Sequence, residues 1–228
     1  MIDFYEGQIL LIDKPIKWTS FDVVNKIRIA IKQKYGNKLK VGHAGTLDPL
    51  ATGLLIICTG KFTKKINQLT LANKQYIAKI NFGATTPSYD KETEFDANYP
   101  IEHINIDLVK NTLNSFLGKQ TQVAPSYSAK KIDGQKAYIC ARKGKQKELT
   151  PHEIEIFNIE ILDYNLPNWI TISILVSKGT YIRTFANDLG KKMNTGAYLD
   201  ELRRVSVGDF KVEDANTIEK FLNNLSNQ

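Results

Sequence analysis

Gly42-His43-Ala44-Gly45-Thr46-Leu47-Asp48-Pro49-Leu50-Ala51-Thr52-Gly53 sets one carboxylate in a stretch punctuated by three glycines and a proline, with a histidine as its only titratable neighbour. Glycine lets a backbone turn and lets a ligand approach closely, and proline has no N–H to give to a helix or a central strand. The stretch therefore reads as a loop that continues neither element, and Asp48 reads as presented by it. Leu54-Leu55-Ile56-Ile57-Cys58 follows, an apolar run of the kind that forms a buried strand or a buried helix. The loop is thus expected to be anchored in the core on its C-terminal side, and an anchored acid can do chemistry that a mobile, solvated one cannot. Taken alone, Asp48-Pro49 would more often be an Asx turn whose carboxylate serves only the nearby backbone.

Upstream, residues 8–12 read as a short apolar strand that Asp13-Lys14-Pro15 ends in a turn. Thr19-Ser20-Phe21-Asp22 carries a helix-start signal, after which Val23, Val24, Ile27, Ala30 and Ile31 recur at helical spacing until Gly36. Lys26, Arg28, Lys32 and Lys34 lie among them, as a solvated face or a phosphate-facing one. Downstream, residues 76–82 alternate as a strand, broken by Gly83, and residues 104–117 have helical periodicity closed by Gly118. Ile170, Ile172, Ile174 and Val176 alternate as a strand before Gly179 turns the chain into a helix running to Gly190, which puts Arg183 near its first turn. Residues 217–225 suit a last helix. No repeat or long Pro/Gly/Ser linker interrupts the chain, so it reads as one mixed domain with insertions.

At 228 residues, 42% of them hydrophobic, the chain can build a proper core, and a net charge of +7 favours a polyanionic partner, while also being common as plain solubilising charge. Cys58 and Cys140 form no CxxC pair, which argues against both a zinc site and a disulfide framework. The N-terminus has neither the basic nor the apolar segment of a secretion signal, and no apolar run approaches the roughly 20 residues of a membrane helix. A cytoplasmic address is expected.

The segment from Gly42 to Lys64 resembles the catalytic motif of the TruB family of pseudouridine synthases, a GHxGTLDPxAxG loop that carries the nucleophilic aspartate. Further family motifs occur in the expected order: Asp13-Lys14-Pro15 with Trp18-Thr19-Ser20, the Lys74-to-Asp90 segment around Tyr76, Tyr127-Ser128-Ala129-Lys130-Lys131, Ser177-Lys178-Gly179-Thr180-Tyr181-Ile182-Arg183-Thr184, and Leu202-Arg203-Arg204. The resemblance implies an α+β pseudouridine synthase catalytic fold, with a central mixed, largely antiparallel sheet flanked by helices. It implies a single catalytic domain over residues 1–228, with a basic thumb-like, RNA-gripping insertion at about 121–150; the 18 residues after Phe210 depart from the many members that continue into a C-terminal PUA domain, and no such domain is expected here. It also implies the reaction, isomerisation of uridine 55 in the tRNA T loop with the target base flipped out, by a protein that needs no cofactor, no metal and no obligatory protein partner, works as a monomer and does not engage membrane.

By the same resemblance Asp48 is the nucleophile, Tyr76 the active-site tyrosine and Arg183 the arginine that pairs with the aspartate. A carboxylate suits the reaction because it can attack either the base at C6 or the sugar carbon and leave again, and both routes stay open here. A flat aromatic with a polar tip can stack on an extruded uracil, and a guanidinium keeps a carboxylate ionised and oriented. His43, Lys14, Lys178, Tyr181 and Leu202 fall in the motifs as substrate-binding residues, although an ordinary core or turn role would look alike for each. Between Lys130 and Lys147 seven basic residues stand against Asp133 alone, with Tyr127 and Tyr138 nearby. Lys131, Lys143 and Lys145 of this run are expected on RNA, since basic runs with interleaved aromatics can track a backbone and stack on unpaired bases. Lys17, Phe62, Ala124, Lys130 and Val176 depart from the usual motif residues; Lys17 replaces a glycine. Two other classes remain in view, a non-catalytic RNA-binding relative and the dyskerin-like branch that works with guide RNA and protein partners.

Overall fold

The computed structural model describes residues 3–128, 131–132, 135–136, 140 and 150–227. Its strands are β1 (Ile9–Lys14), β2 (Val41–Ala44), β3 (Ala51–Thr59), β4 (Lys74–Phe82), β5 (Ala84–Thr85), β6 (Ala97–Asn98), β7 (Gly118–Gln122), β8 (Lys131–Ile132), β9 (Gln135–Lys136), β10 (His152–Asn165), β11 (Trp169–Val176), β12 (Ala197–Val207), β13 (Phe210–Lys211) and β14 (Asn216–Thr217). The helices are α1 (Ser20–Tyr35), α2 (Ile66–Leu71), α3 (Ile106–Asn114), α4 (Ile182–Lys192) and α5 (Ile218–Ser226). By its internal contacts the chain divides into one unit of Met1–Tyr76 with Leu202–Gln228 and a second of Ile77–Glu201.

In the first unit the strand order is β14-β1-β3-β12, with β2 on β3 and β13 on β12. β1 and β2 run antiparallel to β3, while β12 runs parallel to it. β3 is buried along almost its whole length, which is why its sequence shows an unbroken apolar run and not an alternation. Leu54, Ile56 and Cys58 on one side of it pack with Ala44, Val207 and Val212, and Ile9, Leu11, Phe62 and Ile66 close around them. α1 packs on β2 and α5, and α2 on β2. α1 begins where its sequence says it should: Thr19 caps the Asp22 amide, the Asp22 carboxylate returns a bond to the Thr19 amide, and Val23, Val24, Ile27 and Ile31 form the buried stripe. Gly36 ends it in the left-handed conformation at φ 82°, its N–H on the Lys32 carbonyl.

In the second unit the order runs from β12 through β4, β11 and β10 to β7. β10 is antiparallel to both β11 and β7, and two register shifts interrupt its ladder with β11. β4 buries Lys74, Tyr76, Ala78, Ile80 and Phe82 on one face, the alternation its sequence announces. α3 packs against α4, whose residues are nearly all buried.

Two local expectations change. β1 continues past Ile12 through Asp13 and Lys14, because its partner β3 goes on offering hydrogen bonds down to Gly53 and only Pro15 lacks a donor to continue. Gly42 and Gly53, expected in a loop, lie in strands β2 and β3, so the loop proper is Gly45 to Leu50. Gly53 is tolerated inside a strand because the neighbouring backbone comes too close for any side chain: a Cβ there would lie 2.3 Å from the Arg204 carbonyl oxygen. Among the described residues no helix is long and apolar enough to cross a membrane.

Candidate active site

β2 brings the chain to Gly45 and β3 carries it away from Ala51, leaving Asp48 half-buried in the connecting loop. The loop backbone is held on both sides of the aspartate. Ser20, the first residue of α1, accepts the Leu47 N–H at 2.8 Å and donates its hydroxyl to the Leu47 carbonyl at 3.1 Å. The Pro49 carbonyl accepts the Lys17 N–H at 2.8 Å and the Lys14 Nζ at 3.4 Å, and the Asp48 carbonyl accepts the Ala51 N–H at 3.1 Å. Lys17 reaches that bond only by adopting φ 68°, a left-handed conformation that suits the glycine it replaces.

From the other side, Arg204 of β12 donates Nη2 to the Gly45 carbonyl at 3.1 Å and Nε to the Leu54 carbonyl at 2.7 Å, with Nη1 3.5 Å from the Thr46 carbonyl. Its position follows from register. Gly53 pairs with Lys14 on β1 and with Arg204 on β12, so the two cations flank a residue with no side chain in one row across three strands. Sequence reasoning gave Arg204 no role, because a charged residue in a strand reads as solvated until its burial is known.

Lys14, expected on substrate, is wholly buried, and its Nζ donates to the carbonyls of Pro15, Trp18 and Pro49 at 3.0, 2.6 and 3.4 Å. An ammonium has three protons to donate, so none is left for a phosphate. Burial drives its pKa down to about 8, opposed by the attraction of Asp48 and helped by the repulsion of Arg204. His43, opposite Ile57 on β2, has an Nδ1 that is buried and finds no hydrogen-bond partner among the described residues. Burial holds its pKa below the usual imidazole value, opposed by a backbone hydrogen bond at Gly45 and helped by the Arg204 charge, which favours the neutral ring. Leu202 is half-buried on β12 opposite Ala51, and Tyr76 is buried on β4. Lys74, which the sequence did not single out, is also buried, with Nζ on the carbonyls of Thr70 and Ala72 at 2.6 Å each.

In the second unit Arg183 is buried on the first turn of α4, where the positive end of the helix dipole disfavours a cation. Specific partners offset that: Nη1 donates to the carbonyls of Ser88 at 3.2 Å and Tyr127 at 3.0 Å, and Nε lies 3.5 Å from Asp90 Oδ2. Asp90 is itself fixed, Oδ1 accepting from the Ser88 hydroxyl at 2.6 Å and the Glu92 N–H at 2.9 Å. Asp90, which ends the motif segment around Tyr76, was given no role by the sequence reading. The start of α4 is set by Gln122, whose amide both accepts the Tyr181 N–H at 2.8 Å and donates to the Tyr181 carbonyl at 3.0 Å. The Tyr181 ring stands edge-on to His152, and Lys178 is exposed beside Gly179. Lys131 opens β8, paired with Lys136; Lys143 and Lys145 lie outside the described residues. Among the described residues no group of three or more His, Cys, Asp or Glu side chains is placed to hold a metal ion.

The family model described as TruB family pseudouridylate synthase, N-terminal domain, matches residues 32–182, from α1 through the Asp48 loop to the start of α4. The chain belongs to the TruB family of pseudouridylate synthases. The model for the tRNA pseudouridylate synthase B C-terminal domain matches residues 183–228. The chain is 53% identical over 221 residues to the tRNA pseudouridine synthase B of Phocaeicola vulgatus, covering 96% of this chain and 94% of that one. It is 50% identical to the protein of the same name from Flavobacterium johnsoniae, covering 96% of both. A chain in the crystal structure of a Cbf5-Nop10-Gar1 complex superposes with a TM-score of 0.72 at 25% identity, covering 96% of this chain and 54% of that one. The TruB chain thus spans about half the length of that solved relative and shares with it the α+β pseudouridine synthase fold.

Proposed function

We propose that this TruB chain converts uridine 55 in the T loop of tRNA to pseudouridine, with Asp48 as the nucleophile. Asp48 forms a transient bond to the flipped-out nucleotide, the N1–C1′ bond breaks, the uracil turns, C5 bonds to C1′, and the bond to Asp48 breaks to return the free carboxylate. The C5 proton leaves and N1 takes one up, so atoms and electrons balance with no redox step and no group donor. The observation that carries this reading is the loop itself: a carboxylate whose flanking main chain is pinned by Ser20, Arg204, Lys14 and Lys17 while its own side chain is only half-buried. Near-full-length identity to bacterial proteins named tRNA pseudouridine synthase B supports tRNA as the substrate. Tyr76 stacks on the uracil and Arg183 supplies positive charge to the carboxylate, in the roles that the motif resemblance gives them. The T stem-loop is the recognised part, bound by a monomer with no obligatory protein partner, in the cytoplasm where tRNA resides.

The test is Asp48→Asn, which deletes the charge at nearly constant volume. Pseudouridine formation on an unmodified T-arm hairpin should fall below detection while hairpin affinity stays within about threefold of wild type. Turnover by the variant at near the wild-type rate sinks the assignment.

A further inference from the structure

We infer that Arg204 and Lys14 are positioning residues for Asp48, two buried cations in one cross-strand row that grip the loop before and after the aspartate and keep positive charge beside it. The inference rests on the reading of Asp48 as nucleophile. Burying one cation is costly, and burying two side by side is more so; apolar side chains of similar volume usually leave a fold at least as stable. Stability alone therefore gives little reason for this pair. Among the described residues every hydrogen bond of both groups goes to a main-chain carbonyl, and three of those carbonyls, Gly45, Thr46 and Pro49, belong to the loop that presents Asp48. Two acids on the neighbouring elements β1 and α1 also make bonds of their own. Asp13 holds Arg203 through two bonds of 3.0 and 2.7 Å, and Asp22 closes the capping box of α1 with Thr19.

The groups that face the Lys14 ammonium are Asp48 on the loop, Arg204 on β12 and Asp22 on α1. With its pKa near 8, Lys14 gives up its proton within the range of an activity assay. The unfolded chain holds that proton up to its ordinary value of 10.5, so between these two values the unfolded state binds more protons and rising pH stabilises the fold through this group. Over the same interval the Lys14 charge beside Asp48 is lost and only that of Arg204 remains. Activity and stability should thus move in opposite directions, which a purely structural role for Lys14 would not produce.

Single-turnover rate, hairpin affinity and melting temperature are measured for wild type, Arg204→Met, Arg204→Lys and Lys14→Arg across a pH series. Arg204→Met should lose about 100-fold in rate, the usual effect of about 1 Å of misplacement at a reacting group, with affinity nearly unchanged and Arg204→Lys recovering part of the loss. The wild-type rate should fall above a pH of about 8 without a fall in melting temperature. Lys14→Arg should abolish that fall, because a guanidinium does not titrate there. A folded Arg204→Met with wild-type turnover overturns the inference, as does a Lys14→Arg profile that superimposes on wild type. Should Arg204→Met not fold, the Lys14→Arg profile decides. An active Asp48→Asn would remove the nucleophile reading itself, whereas an inactive Asp48→Asn beside a fully active Arg204→Met removes only the cradle.

Discussion

Gly53 sits near the start of β3 at φ 99°, flanked by Lys14 and Arg204, with room for no side chain. Gly53→Ala should destabilise the protein by at least about 2 kcal/mol, from the unfavourable φ and the clash with backbone, and should lower turnover because Arg204 has to shift. Chemical denaturation and a rate measurement check this; a variant as stable and as active as wild type would mean that the row is plastic. Residue chemistry was legible in the sequence wherever the residue type alone carried the meaning, as for Asp48 in its glycine-bounded loop. It was not legible for Arg204 or Lys14. Their roles come from burial and from a register that joins residues about 150 positions apart, and a charged side chain gives no sign of either.

At the scale of elements, α1 was readable to the residue, since its cap, apolar stripe and terminal glycine are all local signals. Thr19→Ala removes the acceptor for the Asp22 amide and should cost about 1 kcal/mol in a urea melt; a cost below about 0.3 kcal/mol would show that packing alone fixes the helix start. β10 and β12 went unread for a different reason. Register shifts break the alternation of β10, and Asp200, Glu201, Arg203 and Arg204 give the strand β12 the look of a polar connection. β3 stood undecided between strand and helix because a segment buried on both faces has no period to display.

For the molecule as a whole, the charge of +7 predicts binding to RNA that weakens as salt rises. Replacing Lys143, Lys145 and Lys147 with alanine should flatten the slope of log affinity against log salt by about 2 to 3 and leave the rate at saturation much less affected. An unchanged slope would make that run a solvated surface. The clamp on the Asp48 loop has another consequence, one of timing. Arg204 stands 159 positions after the Gly45 carbonyl that it holds. On the ribosome, where folding proceeds as the chain emerges, a nascent chain that already displays Asp48, Tyr76 and Arg183 still lacks this clamp. Catalytic competence therefore arrives late in synthesis, when β12 slots in beside β3, and chains that stall before that point should be inert toward tRNA.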